Sequence, residues 1–319
     1  MTTSITREKR PTHRPEPPVT PKRSGGSPPG EPPRRPADAR PDRGASIWAR
    51  VGSVSGIGLI VIYCLAPFYW MLVSSLRRPE DVFEMSFWPS RVSFENFFAV
   101  FDPARGFTGA LLNSAIVSLT TTVLALVVAT FAAYALARLE FPGKTALLTL
   151  IIATSMFPLV AIVIPLLRFF TEWQWINTYQ ALIIPNLSFA LPLAVWNLTT
   201  FFKAMPDELE QAAMVDGNTA WQAFRRVILP LATPGIFTTA IIVFINSWNE
   251  FLIASTMVNE KTMQTAPVAL SKFGGVSQFE TPYGSQMAAG IVVTIPLIIL
   301  VLLFQRQIVA GLSAGGVKG

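Results

Sequence analysis

Apolar residues in this chain gather into six long runs instead of alternating with polar ones. The runs extend from about Ile47 to Val73, Thr108 to Ala137, Ala146 to Phe170, Tyr179 to Phe202, Ala232 to Met257 and Gly284 to Phe304. Each reaches the roughly 20 residues that a helix needs to cross a bilayer. The pattern predicts an all-α membrane protein with six transmembrane helices. The second run has no proline, and Ala125, Ala129 and Ala133 form a ridge of small side chains suited to close helix packing. The third carries Pro158 and Pro165, and the fourth Pro185 and Pro192. Prolines within spans imply kinks, with the freed carbonyls satisfied by neighbours or by water in a cavity.

The segments between the runs differ in character. Residues 74–107 hold Trp88, Phe94, Phe97, Phe98 and Phe101, which suits an external loop with a short helix at the headgroup level. RLEFPGK, Arg138 to Lys144, reads as a tight internal turn, and Val258 to Tyr283 as a polar, glycine-containing outer loop. The stretch 205–230 predicts a helical hairpin. Pro206 fits the first helical position, and Asp207, Glu208 and Glu210 place negative charge in the first turn. Leu209, Ala212 and Ala213 share a face, and Gly217 stands where a left-handed cap closes the helix. Trp221, Phe224 and Ile228 make a second apolar stripe, which Pro230 ends.

Composition agrees with the pattern. The chain has 319 residues, 51% hydrophobic and 14% charged, against about 25% charged in soluble domains. Residues 1–45 hold eleven of the 26 prolines and no apolar run. Such a segment cannot bury enough apolar surface to offset chain entropy, so it is expected to be a disordered Pro/Arg-rich tail, with the membrane domain at 46–319. Much of the net charge of +6 lies in that tail and does not argue for nucleic acid. Six spans put both ends on one side. Outside the tail, Lys and Arg divide evenly between the two sides, so Arg40, Arg43 and Arg50 beside the first span assign the cytoplasmic side to the termini.

Candidate chemistry is sparse. The single cysteine, Cys64, lies in an apolar run and is expected to be a buried apolar side chain; the single histidine, His13, lies in the tail. Metal sites built on His and Cys, and Ser-His-Asp or Cys-His catalysis, are excluded. No Gly-rich phosphate loop with Lys and Ser/Thr is present. Polar residues stand out in one run, in NSWNEF, Asn246 to Phe251. Asn246, Asn249 and Glu250 fit a water-filled path, where asparagines can bond the hydroxyls of a polar solute, and equally fit helix–helix hydrogen bonding; Trp248 fits packing better.

Ala212, Ala213, Gly217, Val227, Leu229 and Pro230 stand at the spacings of the Glu-Ala-Ala loop in the membrane subunits of ATP-binding-cassette (ABC) importers, which this stretch resembles. Gln211 occupies the position of the family's glutamate, with Glu210 just before it. An ordinary surface hairpin is the bland alternative. The spans, the WNEF that follows and the ending GLSAGGVKG resemble carbohydrate-importer permeases of the six-span maltose type. The segment from Ser277 onward is similar to the second permeases of mycobacterial trehalose importers.

The resemblance implies a type I ABC importer permease fold. It implies that Glu208, Leu209, Glu210, Gln211, Ala212, Ala213, Asp216 and Gly217 couple to an ATPase. It implies Asn246, Asn249 and Glu250 along the path, and Gly274, Gly275 and Ser277 at the tip of a loop that reaches the binding protein. The implied partners are a second permease forming a heterodimer, two ATPase subunits that carry ATP and Mg, an extracytoplasmic sugar-binding lipoprotein, the sugar, and membrane lipid. No cofactor is expected on this chain, which would lie in the plasma (inner) membrane. Rival readings are a secondary sugar transporter, which predicts an inverted repeat and mid-membrane acids that are not found, and a non-transporting scaffold or sensor, which leaves the hairpin spacing unexplained.

Overall fold

The computed structural model describes residues 43–81, 84, 86–274 and 282–316, with backbone alone at 43–50 and 306–316. The first 42 residues of the expected tail lie outside the described residues. The chain divides into two compact units, Met1–Ile62 and Tyr63–Gly319. The first unit contributes the opening part of α1, Arg43–Ser75.

The second unit is helical throughout its regular structure. After α1 come α2, Glu95–Val100; α3, Phe107–Arg138; α4, Lys144–Ser155; α5, Leu159–Glu172; and α6, Tyr179–Ala204. They are followed by α7, Glu208–Val215; α8, Ala220–Ala223; α9, Leu229–Trp248; α10, Leu252–Met257; α11, Ala266–Ser271; and α12, Tyr283–Gly316. Five helical stretches are long and apolar enough to cross a membrane. The third expected span is broken: α4 and α5 meet at 85°. Pro158 is the physical reason. It lacks an N–H, and it biases Phe157 away from helical geometry; its own backbone is extended, at φ −68 and ψ 121.

The core is built on the small residues of α3. Ala125, Ala129 and Ala133 are fully buried against Ala194, Leu198 and Phe202 of α6 and Ala232 and Val243 of α9. Small side chains let helix backbones approach closely, which maximises dispersion contact where lipid removes the hydrophobic drive. At Gly235 of α9 an added Cβ would stand 2.5 Å from the Phe201 ring. A second clamp sits near the outer segment. Asn96 of α2 donates to the carbonyls of Ser75 (3.0 Å) and Arg77 (2.7 Å) and accepts from Ser285 of α12 (3.0 Å). One buried amide thereby ties the end of α1 to the start of α12. Arg77, also buried, donates to the carbonyls of Glu84 and Ser86.

Four expectations are corrected. The fifth run is not one helix: α9 stops at Trp248 and α10 begins at Leu252. Pro230 does not end a helix. It sits in the first turn of α9, after a π-turn at Phe224–Ile228 that continues directly from α8. Pro230 cannot donate to the carbonyl of Arg226, and its ring crowds that carbonyl, so the turn widens and the Leu229 N–H bonds Phe224. Cys64 is exposed, because the stretch of α1 that carries it presents apolar side chains outward. The segment after Met257 is not a loose loop. Ala266 N–H bonds Ser114 Oγ (2.8 Å), and Asn113 holds the carbonyls of Thr262 (2.8 Å) and Gln264 (3.0 Å), so residues 258–273 are docked on α3.

Candidate functional site

The hairpin is built from α7, a turn and α8. Gly217 takes φ 89, and its N–H bonds the Met214 carbonyl at 3.0 Å. Asn218 closes the cap by bonding the Ala213 carbonyl twice, through its backbone N–H (3.1 Å) and its side-chain amide (3.0 Å). Thr219 and Gln222 then form a reciprocal capping box that starts α8. Arg226 reaches back to Asn218 Oδ1 at 3.3 Å.

The hairpin is locked to α3. Arg138, buried at the end of α3, pairs with Asp207, stands 3.7 Å from Glu210 and donates to the Met205 carbonyl at 3.1 Å. Tyr134, one turn earlier, donates to Glu210 Oε1 at 2.5 Å. Phe224 packs on Tyr134 with ring centroids 4.5 Å apart, and Trp221 stacks on Phe131. The sequence-predicted coupling residues therefore separate by direction. Glu210 and Ala213 turn inward and anchor the hairpin, whereas Glu208, Leu209, Gln211, Ala212, Asp216 and Gly217 are exposed. The expected shared face of Leu209, Ala212 and Ala213 is thus divided, since Ala213 is spent on internal packing. Met214 and Val215 join the exposed set, Val215 being 87% exposed.

The second part of the site is a chamber of about 470 Å³. One wall is the face of α6 bearing Asn186, Phe189, Ala190, Leu193 and Trp196. The opposite wall is Val243, Asn246 and Ser247 of α9, continuing to Glu250 and Ile253. Ile152, Ser155 and Leu159 close it at the α4–α5 break, so the bend made by Pro158 helps to shape the chamber.

Asn246 and Glu250 line the chamber; Asn249 does not, and its amide bonds the Ile245 carbonyl at 2.9 Å. Glu250 also has a structural role. Its two oxygens accept the N–H groups of Ile253 (2.7 Å) and Ala254 (3.0 Å), covering donors that the first turn of α10 leaves free. Trp248 is buried and stacks on Phe244, the packing role expected of it.

Sequence reasoning missed Trp196, Asn186 and Ser247. For Asn186 and Trp196 the signal was present as a stripe at helical spacing, Asn186, Phe189, Leu193 and Trp196, with one polar and two aromatic members inside an apolar run. In the segment after Met257, Gly274 is exposed and its carbonyl accepts from Arg105 at 3.0 Å; Gly275 and Ser277 lie outside the described residues.

Three comparisons bear on this geometry. Residues 125–314 match the family described as the binding-protein-dependent transport system inner membrane component. The trehalose transport system permease protein SugB of Mycobacterium tuberculosis (strain CDC 1551 / Oshkosh) is 46% identical over 279 residues, covering 87% of this chain and 99% of SugB. The trehalose/maltose transport system permease protein MalG of Thermococcus litoralis is 38% identical, over 86% of this chain and 98% of that protein. Among solved structures, a bacterial ABC transporter involved in the import of the acidic polysaccharide alginate has a chain that superposes with a TM-score of 0.68. That match is 20% identical, over 83% of this chain and 97% of the other.

Proposed function

This chain belongs to the binding-protein-dependent transport system inner membrane component family, the non-catalytic membrane subunits of ABC importers, and we propose that it forms one half of the membrane path for a sugar, a disaccharide such as trehalose. As a member of the family it is a multi-pass inner-membrane protein that works with ATPase and substrate-binding partners. The single observation that carries the functional reading is the attachment of the hairpin. Arg138, Tyr134 and the Phe131–Trp221–Phe224 stack fix α7 and α8 to α3, while Leu209, Ala212, Met214 and Val215 are left open. A hairpin bound this firmly transmits force instead of absorbing it.

In this reading the open face seats in an ATPase subunit, and ATP and Mg bind there and not on this chain. A second, different permease completes the path, lipid surrounds the exposed apolar helices, and both termini are cytoplasmic. A sugar-binding lipoprotein docks on the opposite side, near Gly274. Closure of the ATPases moves the two hairpins and shifts the permeases between two packed states. Trehalose is supported by the identity to SugB and MalG, whose names carry it. The test is reconstitution of the four kinds of subunit in vesicles with labelled trehalose. Uptake is expected only with ATP inside and binding protein outside. Uptake by this chain alone on an ion gradient would refute the reading.

A further inference from the structure

The chamber between α6 and α9 has more chemistry than a passive path requires. Trp196 stands on its wall with 47% of its surface open, and Phe189 lies two turns earlier on the same helix. An indole face carries negative quadrupole density and attracts the weakly positive C–H groups of a pyranose ring laid on it. Across from it are acceptors. Asn246 donates from Nδ2 to the Ile242 carbonyl at 2.9 Å, which fixes the amide orientation and leaves Oδ1 with no protein donor among the described residues. On the same wall as Trp196, Asn186 has its amide fixed likewise, donating to the Leu182 carbonyl at 3.0 Å. Glu250 adds a carboxylate on the chamber wall, held in place by the backbone N–H groups of Ile253 and Ala254. Ser247 is 8% exposed, lines the chamber, and its hydroxyl has no partner among the described residues. A buried hydroxyl left unpaired is costly, and a ligand hydroxyl that reached it would relieve that cost.

We propose that this chamber is a sugar-binding subsite held by this chain itself, one that takes a neutral pyranose, with the ring on Trp196 and its hydroxyls bonded to Asn246, Ser247 and Glu250. The proposal rests on the reading of the protein as a sugar importer and adds where the sugar is held and which sugars are refused. A sugar hydroxyl is a donor that each of these acceptors can use. An acidic sugar would bring its carboxylate against Glu250, a like-charge contact in a poorly hydrated space.

The test uses the assembled complex in vesicles. In a chain bearing Cys64→Ser, Ser155→Cys gives a thiol in the chamber, at a lining residue that makes none of the proposed contacts, and N-ethylmaleimide labels it at a measurable rate. Trehalose at about ten times its dissociation constant should slow labelling about tenfold, since that is the fraction of sites left free. Glucuronic acid at the same concentration should leave the rate unchanged. Trp196→Ala in the same background should abolish the protection by trehalose while labelling itself persists, and Trp196→Phe should restore most of it. A labelling rate indifferent to trehalose, in a complex that imports trehalose, overturns the subsite. Equal protection by glucuronic acid overturns the selectivity for neutral sugars. If the Trp196→Ala complex does not assemble, Ser247→Ala, which removes one hydroxyl and no packing volume of note, decides by the same readout, and undiminished protection counts against the subsite. A wild-type complex that imports no sugar sinks the importer reading instead, and is distinguished by that uptake measurement.

Discussion

Gly217→Val isolates the backbone geometry of the hairpin. Nothing lies within 4 Å of where a Cβ at Gly217 would stand, so the substitution meets no neighbour. What it meets is φ 89, a region that L side chains enter at a cost of about 1–2 kcal/mol, more when β-branched. If the turn yields, it loses the Gly217-to-Met214 and Asn218-to-Ala213 bonds, each contributing about 1 kcal/mol. Either outcome costs roughly 2 kcal/mol, which shifts the population of correctly turned hairpins by up to about 30-fold. Alanine should cost less, and Asn least, since its short polar side chain tolerates the left-handed region. Trehalose uptake per assembled complex should therefore fall in the order Gly, Asn, Ala, Val, with membrane insertion unchanged. Uptake by Gly217→Val equal to wild type would show that the hairpin does not couple. An Asn variant as poor as the Val variant would mean that contact with the partner surface, and not backbone strain, governs the position.

The remaining predictions address the anchors, the core and the outer loop. Arg138→Met removes the cation between Asp207 and Glu210 and leaves the carboxylate of Glu210, only 14% exposed, without it; breaking such a buried pair costs about 3–5 kcal/mol, toward the low end here because Asp207 is 75% exposed. ATP hydrolysis by the reconstituted complex should become independent of loaded binding protein, and a retained stimulation would contradict the locking role. Gly235→Ala drives a methyl to 2.5 Å from the Phe201 ring, and overpacking of this kind costs about 1–3 kcal/mol; the melting temperature of the detergent-solubilised complex should drop and recover when Phe201→Leu is added. Gly274→Trp places an indole on the exposed outer turn that Arg105 holds. It should lower the stimulation of ATPase activity by the loaded binding protein while basal hydrolysis stays constant, and an unchanged stimulation ratio would move the docking surface to the loop around Phe94–Phe101.

Period and length made the spans and the Ala125–Ala129–Ala133 ridge legible, because a bilayer imposes an apolar length that few other environments demand. The positive φ of Gly217 was legible too, since few residues other than glycine close a helix that way. Burial within the hairpin was not. Ala212 and Ala213 are identical in sequence and adjacent, yet one is exposed and the other 6% exposed; the difference arises from where α3 crosses, a tertiary fact. The break after Trp248 escaped because Asn249 and Glu250 interrupt the apolar run too briefly to lower its average. Glu250 was read as belonging to the path or to the interface, and its capping of α10 could not be found without the break after Trp248 that brings the Ile253 N–H to it. The chamber draws on three separate apolar runs, so no local pattern could assemble it, although the stripe from Asn186 to Trp196 carried one wall in plain view.

The hairpin and the chamber are mechanically one object. α9 leaves the hairpin at Leu229 and reaches the chamber at Val243, Asn246 and Ser247; its 20 residues span about 30 Å at 1.5 Å per residue. The joint between them is the π-turn at Phe224–Ile228, a place where a helix could bend and dissipate motion. Here it cannot easily do so. Phe224 and Ile228 are both buried in the α3–α6–α9 core, and Phe224 is packed on Tyr134 and Phe131 of α3. Movement of α7 must therefore carry α3 as well as α9. α3 in turn holds the outer segment through Asn113 and Ser114, at the opposite end from Arg138. One pair of packed helices thus joins the exposed face of the hairpin, the wall of the chamber and the segment 258–273.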